Sequence, residues 1–171
     1  MKILGIDPSN VHSAYCLVDT KDMHPIEFGI IDNQEMIKNI KRIKDECGEN
    51  ETIHFVIEGM QNQGMPVGNT VFDTVLLIGR FIEHAIFNSY DKIIMIYRRD
   101  EKLCICNNTR AKDSNIRQAL INKYGEVGIK NNQGFFYGFK KDCWAAFAVV
   151  ETYHEFFEGR YEIKEKDLII F

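Results

Sequence analysis

Two short runs, Ile3-Leu-Gly-Ile6 and Ile53-His-Phe-Val-Ile57, carry almost no polar residue, and each gives way at once to a carboxylate, Asp7 or Glu58. A run without polar alternation fits a strand covered on both faces, as parallel strands are when helices sandwich them. Lys92-Ile-Ile-Met-Ile-Tyr97 is a third such run. The segments between them read as helices. Asp32-Asn33 caps one through about Glu46, with Met36, Ile37, Ile40 and Ile43 on a stripe. Asn69 or Thr70 caps a longer one to about Ser89, with Val71, Val75, Ile78, Ile82 and Ile86 on one face. Helical crossovers make the three apolar strands mutually parallel.

The first strand is followed by two more strand-like stretches, Ser13 to Val18 and Ile26 to Ile31, close enough to form an antiparallel meander. Later in the chain, Asp113 or Ser114 caps a short helix ending near Tyr124-Gly125. The loop Gly134-Phe-Phe-Tyr-Gly-Phe139 feeds a helix from Lys141 to about Phe157, and Asp167–Phe171 reads as an edge strand. The expected fold class is α/β: a five-stranded mixed sheet, three antiparallel strands and then a parallel continuation, flanked by helices. At 171 residues this is one domain, with a core of about 2–157 and a C-terminal extension over 158–171.

If the first and fourth strands are neighbours, Asp7 and Glu58 share the carboxyl end of the sheet, where ligands of open α/β sheets bind. A third carboxylate, Asp142, opens Asp142-Cys-Trp-Ala-Ala-Phe-Ala, whose small residues Ala145, Ala146 and Ala148 let a helix lie close to the sheet. Acids gathered in this way repel unless a cation sits between them, and an oxygen-only set suits Mg²⁺ or Mn²⁺. Plainer readings exist for two of them: Asp after a strand often forms a turn, and Asp at a helix start often serves the dipole. Glu58, between an apolar strand and a glycine, has no such structural use.

Charge is unevenly spread in a chain of net charge −4. Residues 1–91 carry a net −7, residues 92–141 a net +7, and the remainder −4. A basic segment inside an acidic chain reads as a phosphate-facing surface or as an ordinary solvated face. Its candidate contacts are Arg98, Arg99, Lys102, Arg110, Lys112, Arg117, Lys140 and Lys141. Lys112 stands at the mouth of a helix whose amides could also meet a phosphate. Phe135, Phe136, Tyr137 and Phe139 would either stack on unpaired bases or, the preferred reading, pack beneath the last helix. Trp144 reads as a core anchor. Five cysteines without a CxxC pair fit free thiols of a reducing compartment, with Cys104 and Cys106 as strand or loop thiols. The five histidines show no ligand spacing and take no role. Neither a signal peptide nor a membrane-spanning stretch is visible, so a soluble, cytoplasmic protein with no membrane association is expected.

Gly5-Ile-Asp7-Pro-Ser, the following Ala14-Tyr-Cys-Leu-Val18 strand, Phe55-Val-Ile-Glu58, Leu77-Ile-Gly79-Arg80 and Asp142-Cys-Trp-Ala-Ala-Phe-Ala together resemble the RuvC-type Holliday junction resolvases of the ribonuclease H-like superfamily. The compact size is similar to that of phage- or prophage-encoded members. The resemblance implies that Asp7, Glu58 and Asp142 are catalytic metal ligands holding two Mg²⁺ or Mn²⁺ ions that hydrolyse phosphodiesters. It also implies branched DNA as substrate and a homodimer built on the Val71–Ile86 helix. Two departures stand out. The acid that the family has three positions before the last one is replaced by Phe139, for which Asp113 is the substitute to check. The aromatic that follows the fourth-strand Glu is replaced by Met60-Gln61-Asn62. Competing readings are another ribonuclease H-like nuclease cutting RNA–DNA hybrids or flaps, and a catalytically silent DNA-structure binder. An actin-like ATPase or sugar kinase also opens on Gly-Ile-Asp, but the chain lacks the second glycine-rich phosphate loop and the length such proteins need.

Overall fold

In the computed structural model, described for residues 1–48, 50–61, 64, 68–164 and 169–171, the apolar runs are strands at the centre of one sheet. β1 (Lys2–Asp7), β2 (His12–Asp19) and β3 (Pro25–Asp32) form the antiparallel meander. α1 (Asn33–Cys47) follows, capped as expected by the Asp32 carboxylate, which accepts from the Gln34 amide at 2.8 Å. β4 (Ile53–Gly59) then lies parallel to β1, α2 (Asn69–Phe87) crosses over, and β5 (Lys92–Tyr97) lies parallel to β4. The five expected strands and their directions are all present. Ile169–Ile170 adds a sixth, short edge strand antiparallel to β5, so the order is 3-2-1-4-5 plus this edge. Of the expected tail strand, Asp167 and Leu168 lie outside the described residues.

Three elements were not foreseen. Arg98–Cys106 is a helix, α3, which begins directly at the end of β5. Cys104 and Cys106 are therefore helical, not strand or loop thiols; nine residues rich in charge offer no apolar stripe by which to see it. α4 (Asp113–Tyr124) is capped differently from expectation. Lys112 precedes it, and the Asn115 side chain accepts from the Lys112 amide at 2.9 Å. Gly128–Ile129 and Asn132–Gln133 form a small hairpin, β6 and β7, before α5 (Cys143–Phe157). The last helix starts two residues later than expected.

Strand alternation divides the core into two layers. Leu4, Ile6, Phe55 and Ile57 face α1 and α2 and pack with Met36, Ile40, Phe81 and Ile82. Ile3, Val56, Ile94 and Ile96 face α5 and α4 and pack with Phe147, Val150, Ile116 and Leu120. The aromatic loop belongs to this second layer: Phe136 is fully buried, and Phe139 packs on Phe28, Phe136 and Trp144. These rings are core, as preferred. α2 presents a different face from the one expected. Leu77, Ile78, Phe81, Ile82 and Ala85 are buried, whereas Val75 and Ile86 are exposed together with Phe72, Leu76 and Phe87. Among the described residues no helix is long and apolar enough to cross a membrane.

Candidate metal centre and adjoining basic groove

The register of the central strands sets the site. Ile6 of β1 lies opposite Ile57 of β4, so Asp7 and Glu58 are the next residues on adjacent parallel strands. Alternation turns both away from the α1–α2 layer and toward the face covered by α5. There α5 comes unusually close to β1. A Cβ on Gly5 would stand 2.4 Å from Val150 Cγ2 and 2.6 Å from the Ala146 carbonyl oxygen. Ala146 and Ala148 are fully buried in this contact, as their small size led us to expect.

This approach brings the amino end of α5 to the carboxyl end of the sheet. Lys141 sits in the left-handed region at φ 39°, and Asp142 follows in the last position before the helix. The Asp142 carbonyl accepts the first helical bond, from the Ala146 amide at 2.9 Å, but its carboxylate makes no capping bond. At the start of α5, where a carboxylate also suits the helix dipole, Asp142 is exposed and faces a crevice of about 60 Å³ lined by Arg98, Asp113, Lys141 and Asp142.

The three acids share one electrostatic neighbourhood. Burial, then the charges of Glu58 and Asp142, push Asp7 up to about 8. Burial also holds Glu58 well above the ordinary carboxylate range, followed by the charge of Glu101, with Arg98 opposing. Glu101 was not among the candidate acids of the sequence. It lies in the first turn of α3 and is completely buried. Burial pushes it up to about 7, while the Arg98 charge and hydrogen bond restrain it.

Arg98 is the counter-ion of this cluster. Its Nη1 binds Glu101 Oε2 and stands 3.8 Å from Glu58 Oε2, while Nη2 is 2.6 Å from Asp113 Oδ1. Burial alone would lower the Arg98 pKa, but Glu101, Glu58 and Asp113 together hold it above its usual value. Arg98 thus points inward, at odds with its expected role as a surface phosphate contact. Asp113, proposed as a substitute acid, does join the cluster, but its side chain is 88% exposed and tied to the guanidinium. Position 139, where a fourth acid was sought, is an aromatic of the core.

Five carboxylates outnumber the cations beside them, Arg98, Lys102 and Lys141. Glu101 Oε1, moreover, is buried without a hydrogen-bond partner among the described residues. Uncompensated buried carboxylate is costly, and an all-oxygen set of this kind fits a hard divalent cation. A tighter group, Glu151, His154 and Glu155, has ligand atoms within 4.8 Å of one another, closer than the Asp7 set is drawn together. It is already neutralised. Lys123 Nζ lies 2.6 Å from Glu151 and 2.7 Å from Glu155, and Arg160 Nε is 2.9 Å from Glu155. Nine residues along α5 from Asp142, it also stands roughly 14 Å away.

Beside the acids runs a groove of about 820 Å³ whose walls include Arg117, Lys140, Lys141 and Trp144. The Arg117 guanidinium lies 4.8 Å from the centre of the Trp144 ring, a cation–π contact. Of the expected basic contacts, Arg117, Lys140 and Lys141 are thus brought together next to Asp142. Arg99, Arg110 and Lys112 are exposed but do not line the groove.

No protein-family model and no curated protein sequence matches this chain. Solved structures do. The chain superposes on Thermus thermophilus RuvC in complex with a Holliday junction substrate with a TM-score of 0.65 and 12% identity, over 94% of this chain and 97% of that one. A second Thermus thermophilus RuvC structure gives a TM-score of 0.67 at 12% identity, over 94% and 98%. The strand order, the crossovers and the near-complete overlap make this an α/β fold of the ribonuclease H-like kind, similar to that of RuvC.

Proposed function

We propose that the chain is a divalent-metal-dependent endonuclease acting on branched DNA, of the Holliday junction resolvase type. The observation that carries this reading is the convergence of Asp7, Glu58 and Asp142, from two strands and a helix, on one end of the sheet beside a basic groove. The likeness of fold to a protein solved with a four-way junction supports the choice of substrate.

In this reading Asp7, Glu58 and Asp142 would hold two Mg²⁺ or Mn²⁺ ions. Such ions supply an activated water as nucleophile and stabilise charge on the leaving 3′ oxygen. The protein's own groups do the positioning. Lys140 and Lys141 flank Asp142 and draw a backbone phosphate toward the acids. Arg117, held over Trp144, offers a further phosphate contact along the groove, and such contacts orient the substrate without reading its sequence. Because a four-way junction presents two equivalent strands, two symmetric cuts call for two copies of the chain. The exposed apolar residues of α2 provide a surface on which they would meet.

The test is cleavage by the purified protein of a four-way junction, a flap and an RNA–DNA hybrid, with Mg²⁺ or Mn²⁺ and with neither. Junction nicking that needs the ion and disappears in Asp7→Asn is the expected result. Cleavage of the hybrid alone would replace the resolvase reading by another nuclease of this fold. Binding of junctions without any nicking would leave a DNA-structure binder.

A further inference from the structure

The metal-site reading leaves one group unexplained, the carboxylate of Glu101. It has no exposed surface, it comes from an element outside the three that carry Asp7, Glu58 and Asp142, and only half of it is used. Arg98 takes Oε2, while Oε1 has no partner among the described residues. A buried carboxylate oxygen is ordinarily hydrogen-bonded, because leaving one bare incurs its full desolvation penalty. Its neighbours show where it sits. One Arg98 nitrogen, Nη1, serves both Glu101 and Glu58, so the two carboxylates face the same space. The Glu101 side chain therefore lies beside the Glu58 carboxylate at the end of β4, with Arg98 spanning the two.

Resting on the metal-site reading, we infer that Glu101 is the fourth acid of the site in this chain, with Oε1 as its ligand atom and Arg98 holding Oε2. The acid comes from the start of α3, at the tip of β5, and not from the turn before α5, where Phe139 fills the aromatic core. Arg98 is the resident cation of the metal-free protein and partly offsets Glu58, Glu101 and Asp113.

The experiment is Mn²⁺ binding to the full chain by isothermal titration calorimetry, with Mn²⁺-dependent melting temperature as a second readout. The variants are Glu101→Gln, Glu101→Asp, Arg98→Gln and Asp7→Asn. Gln keeps the shape and can still accept from Arg98, so Glu101→Gln is expected to fold as the wild type without metal. It should bind Mn²⁺ at least about tenfold more weakly, since even outer partners of metal ligands typically cost that much. Glu101→Asp, which retains the charge, should recover part of the loss. Arg98→Gln removes a competing cation and should bind Mn²⁺ as tightly as the wild type or more tightly. If Glu101 only anchors Arg98, the Arg98 and Glu101 variants will weaken binding alike, and the inference is overturned. It is also overturned if Glu101→Gln keeps wild-type affinity while Asp7→Asn loses it, an outcome that leaves the three-acid site standing. Wild-type protein that takes up no Mn²⁺, or an Asp7→Asn variant that binds unchanged, would remove the metal-site reading and Glu101 with it.

Discussion

Asp7 carries the largest burden at the level of single side chains. It ends a buried strand, it feels two other acids, and its carboxyl is pushed up to about 8. In the unfolded chain it ionises near pH 4. The folded state therefore keeps a proton that the unfolded state loses across the window from about pH 4 to 8, and stability falls as pH rises through it. Above the folded value both states are ionised and the full penalty applies. Asp7→Asn has no such titration. Without metal, the variant should match the wild type near pH 4 and gain on it up to pH 8, by up to roughly 1.4 kcal/mol for each pH unit of that window. Added Mn²⁺ should reverse the order by stabilising only the wild type. A gap that does not grow with pH in metal-free melting curves would mean that Asp7 is an ordinary turn residue. Asp7 and Glu58 were legible in the sequence because each terminates an apolar run. Glu101 was not, since Arg98-Arg-Asp-Glu-Lys102 reads as a solvated stretch and only the docking of α3 against α5 buries the fourth member.

Among the elements, α5 decides the geometry of the site, and Gly5 decides the position of α5. The side chain missing from Gly5 is the space taken by Val150 and the Ala146 carbonyl. Gly5→Ala forces a clash with backbone, which cannot rotate away as a flexible side chain would. A cost of about 1–3 kcal/mol is expected, in the range of overpacked cores. The push on α5 also shifts Asp142 relative to Asp7. The variant should therefore lose Mn²⁺ affinity although no ligand has been changed. Urea titration and calorimetry on the same sample check both parts, and a destabilised variant with unaltered affinity would uncouple the helix from the site. The small residues of α5 pointed to this close packing in advance. α3 did not announce itself: Arg98 to Lys102, its first five residues, are all charged, and only Leu103-Cys-Ile-Cys106 is apolar. The partition of α2 was misread for a related reason. Nineteen residues, apolar on most sides, do not reveal which stripe the sheet takes.

At the scale of the molecule, the directions of the five main strands could be read from apolar runs and helix periodicity, whereas the neighbourhood of β1 and β4 entered only as a condition that the sheet order meets. What the chain meets on its outside could not. α2 exposes Leu76 at 71% and Phe87 at 83%, along with Phe72, Val75 and Ile86. An apolar surface of this kind on a folded domain fits a partner of the same chemistry, here a second copy. Light scattering after size exclusion should give twice the 19.9 kDa chain mass for the wild type. Leu76→Glu with Phe87→Glu should give the single-chain mass with little change in fold, since both positions are exposed. A wild-type monomer, or a dimer indifferent to these changes, would assign the pairing to another surface or to none.

The dispersal of the acids along the chain has a consequence for its synthesis. Asp7 and Glu58 emerge early, the start of α3 follows, and Asp142 comes only after the aromatic loop has been made. The close seat on β1 is taken by a helix that leaves the ribosome after all five long strands of the sheet. A nascent polypeptide halted before that point holds the first two acids but not the third. On the proposed metal-site reading, such a polypeptide has no complete ligand set.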